Sequence, residues 1–168
     1  MGKIYSAING PAPGAAATPK VTTSAAVKTL LQFATSANRE ARIVQHWIEM
    51  DGSSAATPFQ YELLKLPNLT TPATVTAFVA ADITKVSDQN SVATQITLGT
   101  TASGYTGSAE GTLVNPVTVE QHLVPPTSGI YIQFPLGREP EVAISSMARQ
   151  RVTGTPAVNA ICGIMWEE

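Results

Sequence analysis

The 168-residue chain reads as all-β: a single β-sandwich, jelly-roll-like, carrying an extended N-terminal arm. Three observations predict this. Apolar residues recur at every second position in several short runs, the pattern of a half-buried strand. Turn chemistry punctuates those runs at sandwich-like spacing, clearest at Asp51-Gly52, Pro125-Pro126-Thr127-Ser128-Gly129 and Gly137-Arg138-Glu139-Pro140. Helical periodicity is nearly absent. The one helix candidate, Ser36 to Arg42, is too short to stand alone.

Residues 1–26 are expected to form the arm, and residues 27–168 the sandwich. Between Asn9 and Lys20 the chain carries Pro11, Pro13 and Pro19 with Gly10 and Gly14, which rules out a regular helix or a central strand. Ile4-Tyr5-Ser6-Ala7-Ile8 is an apolar patch that needs burial. Ile4, Tyr5, Ile8, Pro11, Pro13 and Val21 are therefore the expected contacts of the arm with a neighbouring subunit.

The body begins with Lys28 to Thr35, which contains Leu30, Leu31 and Phe33. Arg42 to Met50 would place Val44, His46, Ile48 and Met50 on one face, and Phe59 to Leu66 would group Phe59, Tyr61 and Leu63. Ala73 to Ala80 reads as a strand, and Ser91 to Leu98 as a further one. Four glycines between Gly99 and Gly111 indicate a long flexible loop. Val117 to Val124 is β-prone. Ile130, Ile132 and Phe134 then alternate with Tyr131, Gln133 and Pro135, the cleanest two-residue period in the chain. Glu141 to Arg149 follows as one strand. Finally Val158, Ala160, Cys162, Ile164 and Trp166 share a face, with Asn159 and Gly163 turned the other way. About eight strands result, at the spacing of a sandwich.

Composition narrows the function. Hydrophobic residues make up 43% and charged residues only 13%, about half of the ~25% usual for soluble domains. A surface so poor in charge points to burial against other protein. The net charge of −2 and the scattered Lys and Arg give no basic stripe, so no nucleic-acid partner is expected. The densest basic group is Arg149 and Arg151. No run approaches the ~18 apolar residues of a membrane span, and Met1 to Ser6 lacks the apolar core of a secretory leader. Cys162 is the only cysteine, which excludes an intrachain disulfide, and its apolar neighbours predict a buried, inert thiol.

Groups able to move protons are sparse. His46 sits among apolar residues and is expected in or near the core. Glu120 and His122 would share a face of one strand, as a solvated pair without an evident third ligand. Neither a G-x-S-x-G elbow nor an H-E-x-x-H motif occurs. No catalytic residue, cofactor or metal is expected. Recognition is better supplied by Arg138 and Glu139, opposite charges at a strand end, and by Trp47 and Trp166. Of these, Arg138, Glu139 and Trp166 are the expected oligomer contacts.

Several segments together carry a family resemblance. They are His46-Trp47-Ile48-Glu49-Met50-Asp51-Gly52-Ser53-Ser54-Ala55-Ala56-Thr57-Pro58, Tyr61-Glu62-Leu63-Leu64, and Ala109-Glu110-Gly111-Thr112. Val124-Pro125-Pro126-Thr127-Ser128-Gly129, Gln133-Phe134-Pro135-Leu136-Gly137-Arg138-Glu139-Pro140, and Ala157-Val158-Asn159 through Trp166-Glu167-Glu168 complete the set. In order and spacing they resemble a group of tailed-bacteriophage structural proteins that cement or decorate capsids, over about half of the chain. The arm and residues 67–108 lie outside the resemblance. It implies a virion protein on the outer capsid surface, a homo-trimer that bridges neighbouring major capsid proteins. A tail or fibre-tip module binding a host receptor is the alternative.

Overall fold

The computed structural model describes residues 2–12, 14, 20–53, 55–67 and 72–168. Along them run β1 (Ile4–Ile8), β2 (Val21–Thr22), β3 (Lys28–Ala34), β4 (Ala41–Asp51), β5 (Phe59–Leu66), β6 (Thr74–Ala77) and β7 (Thr84–Lys85). β8 (Gly104–Ala109), β9 (Val117–Val124), β10 (Gly129–Gln133), β11 (Glu141–Val142), β12 (Met147–Thr153) and β13 (Asn159–Glu167) follow. The only helical turn among the described residues is a 3-10 turn at Ala80–Asp82.

These strands build two antiparallel sheets, the sandwich expected. The first has the order β10-β4-β13-β1-β7, with β11 also on β4 and β2 also on β13. The second has the order β6-β8-β3-β12-β5-β9. Alternation dictates which side chains meet between them. Ala160, Cys162, Ile164 and Trp166 of β13 and Tyr5 and Ala7 of β1 point inward, against Leu31 and Phe33 of β3 and Tyr61 and Leu63 of β5. Trp166 is fully buried, its ring 5.3 Å from Phe33 and 6.0 Å from Tyr5. Each such side chain contributes about 2–3 kcal/mol through burial alone.

The second sheet is covered on its outer face as well. Ala34, Leu66, Ala102 and Met147 form a small apolar cluster there, with Leu113 against it. Beside it, Arg149 is fully buried and donates from Nε to Gln32 Oε1 (3.1 Å) and from a terminal nitrogen to the Glu110 carbonyl (2.9 Å). Gln32 in turn donates to the Ala102 carbonyl (2.7 Å) and accepts from the Ala73 amide (3.0 Å). Burial pulls the Arg149 guanidinium down from its ordinary value, and the Glu110 carboxylate opposes that pull. Arg151 pairs with Glu62 at 2.6 Å. The densest basic group is thus engaged within the chain.

The arm departs most from expectation. β1 is an interior strand of the first sheet, with residues 4–8 paired to residues 163–167 and Tyr5 and Ser6 also paired to β7. Tyr5 is core, and its hydroxyl donates to the Val92 carbonyl (3.0 Å). Asn9 prolongs the pairing: its side-chain oxygen accepts from the Cys162 amide (3.0 Å). Val21 is buried on β2, opposite Ala160. The apolar patch finds its burial in its own chain.

Other boundaries shift for local reasons. In β4 the register jumps so that Gln45 faces Met165 while Ile43 faces Trp166. Val44 is the extra residue of this bulge, and Ile43 and Ala41 take the inward places. The expected loop at 99–111 holds β8. There Gly104 serves close approach, because a Cβ on it would lie 2.1 Å from the Thr76 carbonyl oxygen. Glu141 to Arg149 is two strands: β11 belongs to the first sheet and β12 to the second. Ser91 to Leu98 is irregular apart from single bridges at Thr97 and Leu98, and Ser36 to Arg42 is loop leading into β4.

Candidate interaction surface

β9 and β10 terminate the two sheets. His46 of β4 packs on Tyr61 of β5, and Trp166 of β13 packs on Phe33 of β3, so β4 lies over β5. The next strands outward, β10 and β9, therefore border one flank of the sandwich. β9 pairs only with β5, and its other edge carries no partner strand among the described residues. The register skips Val119, a bulge that interrupts the edge, and the strand carries Glu120 and His122 but no Lys. Val117 and Leu123 are exposed, Leu123 to 73%.

At the end of β10 the chain turns through Leu136-Gly137. Gly137 has φ +81°, its amide donates to Glu139 Oε2 (2.7 Å), and the Arg138 amide donates to the Pro135 carbonyl (2.9 Å). Glu139 is thereby spent on shaping the turn. Arg138 makes no ion pair among the described residues, and Leu136 stands 97% exposed beside it. Arg138 is on the surface as an oligomer contact requires. Trp166 is not: it is core, and its indole nitrogen donates to Glu168 Oε1 (2.8 Å). That carboxylate also accepts from the Gln95 amide (2.7 Å).

Of the residues expected to contact a neighbour from the arm, Tyr5 and Val21 are interior, and Ile4 and Ile8 are half-buried on the outer face of the first sheet. Pro11 is exposed, next to Ala12, whose amide donates to Asp82 Oδ1 (2.9 Å). Pro13 lies outside the described residues.

The outer face of the first sheet also carries Trp47 and Tyr131, directly opposite each other on β4 and β10. Tyr131 is 64% exposed. The sequence had marked Trp47 as core or anchor and passed over Tyr131. Its signal was there, an aromatic ring on the outward phase of the cleanest alternating strand.

Behind this surface lies a buried polar chain. His46 is fully buried and its Nδ1 lies 2.8 Å from the Tyr61 hydroxyl. Gln150 donates to the Gly163 carbonyl (2.9 Å). His46 Nε2 has no hydrogen-bond partner among the described residues. In the neutral ring Nδ1 meets the Tyr61 hydroxyl either as donor or as acceptor, one hydrogen serving the pair. Burial, aided by nearby His122, lowers the His46 pKa to about 4. His122 Nε2 is 3.0 Å from Glu120 Oε2. The Cys162 thiol is buried and pushed well up by desolvation. Among the described residues no group of three or more His, Cys, Asp or Glu side chains could hold a metal ion. Comparison with protein families, curated proteins and solved structures gives no match.

Proposed function

We propose that this chain is a virion structural protein that cements or decorates a capsid by self-association, as a trimer, and by bridging neighbouring major capsid proteins. The observation that carries the reading is the apolar flank: an eight-residue edge strand, β9, without a partner strand among the described residues and with exposed Val117 and Leu123, together with the exposed Leu136 of the turn after β10. Monomers normally blunt such an edge, because its free N–H and C=O groups and apolar side chains invite another chain. Low surface charge and the phage-protein resemblance of the same turns support the same conclusion. Each contact would be modest, and repetition over a lattice multiplies it. With β1 built into the body, adhesion falls to the flank and to exposed turns, not to a reaching arm.

The test compares shells carrying and lacking the protein during heating or osmotic shock. Cement predicts earlier rupture when it is missing, and Leu123→Lys with Leu136→Glu should reproduce much of that loss in a folded protein. Intact shells that fail to adsorb to cells would instead mark a receptor-binding module.

A further inference from the structure

We propose that the outer face of the first sheet binds a glycan, with pyranose rings stacked on Trp47 and Tyr131. The platform is built. A Cβ added to Gly163 would lie 2.0 Å from Trp47 Cζ2, and 2.4 and 2.6 Å from its two ring neighbours. Neighbours this close place Gly163 beneath the face of the indole, since an approach in the ring plane would hold both of them farther off. The ring therefore lies flat on β13 and is partly exposed. The Tyr131 ring is inclined only 26° to it, with centroids 6.3 Å apart. Together they form an aromatic pair that spans β4 and β10. The negative faces of such rings attract the partially positive axial C–H groups of a sugar.

The rim has the matching polar chemistry. Gln45 and Gln133 face each other on the same side of the sheet, two residues along from the aromatic pair. Their side-chain amides make no hydrogen bond among the described residues. Beyond Tyr131 opens a groove of about 380 Å³ lined by Glu49, Thr127 and Ser128, within the size range of small-ligand sites. Glu49 leans across Gly129, where a Cβ would meet its Cγ at 2.9 Å, and its carboxylate is unengaged. Amides, hydroxyls and one carboxylate supply the mixed donors and acceptors that sugar hydroxyls need. Stacked nucleobases bring phosphates with them, and this groove is lined by a carboxylate and no Lys or Arg. That selects the sugar.

The experiment is native affinity electrophoresis of the intact chain in gels containing laminarin, galactomannan, dextran or poly(dT), with tryptophan-fluorescence titration of any positive. The expected result is retardation by at least one neutral polysaccharide. Binding should weaken at least 10-fold in Trp47→Ala and Tyr131→Ala, and also in Gly163→Ala, which keeps both rings but lifts the indole. Tyr131→Ala removes an exposed side chain and should melt near wild type, so its loss of binding would report the site, not the fold. Retardation by none of the polysaccharides, retention of binding by Tyr131→Ala, preference for poly(dT), or a Trp47→Ala effect confined to oligomeric state would each overturn the proposal. Shell rupture depends on the β9 flank, so either idea can fail alone.

Discussion

His46 should make the fold acid-sensitive well above the range in which carboxylates titrate. The ring is fully buried and neutral, with a pKa near 4 against 6.5 for a free imidazole. As pH falls below 6.5 the unfolded chain takes up a proton that the folded chain refuses. The unfolded state binds more protons, so stability falls with pH until about pH 4, where the folded ring also titrates. From pH 7 to pH 5 the loss is about 2 kcal/mol, and the full window is worth about 3 kcal/mol. For a domain of this length 2 kcal/mol corresponds to roughly 6 °C in Tm. Urea or thermal unfolding of wild type and His46→Gln at pH 7, 6 and 5 measures it. The variant should start less stable, because Tyr61 loses its imidazole partner, yet fall less steeply. Parallel decline of the two proteins would show that His46 is protonated or solvated in the fold, and the buried-neutral assignment would be wrong.

Three further outcomes follow from the packing. Removing residues 1–8 should unfold the body, not merely free it from partners, since Tyr5 leaves the Trp166 cluster and β13 gains a bare edge; a loss of at least ~5 kcal/mol is expected by urea denaturation. Arg149→Met should cost about 3 kcal/mol, because the Glu110 carbonyl loses its donor and Gln32 Oε1 keeps only the Ala73 amide, with chemical denaturation as the measure. Cys162 should resist a thiol reagent at pH 8 in native protein and react at once in denaturant; fast native labelling would contradict its burial.

The strands most legible in the sequence were β10 and β13, since alternation records one-sided burial residue by residue. In β3 both faces are covered, Gln32 on one side and Phe33 on the other, so alternation gives way to a near-continuous buried run. The bulge at Val44 depends on the register of a strand more than a hundred residues away, which no local pattern encodes. Gly104 looked like flexibility and Gly163 like a plain outward position, yet each is a point of contact, with Thr76 and with Trp47. The same blindness hid the platform. Trp47 is flat only because Gly163 is its cross-strand neighbour. Ile4-Tyr5-Ser6-Ala7-Ile8 showed its need for burial correctly but not which chain supplies it.

The position of β1 has a consequence for biosynthesis. Its long partner, β13, follows far along the chain, and Lys3 and Glu168 exchange both backbone hydrogen bonds across that seam (3.0 Å each). A growing chain would offer Tyr5 only the short β7 to pair with until β13 had been made. Such distant closure makes for slow folding, with an interval in which the nascent protein is open to wrong strand partners.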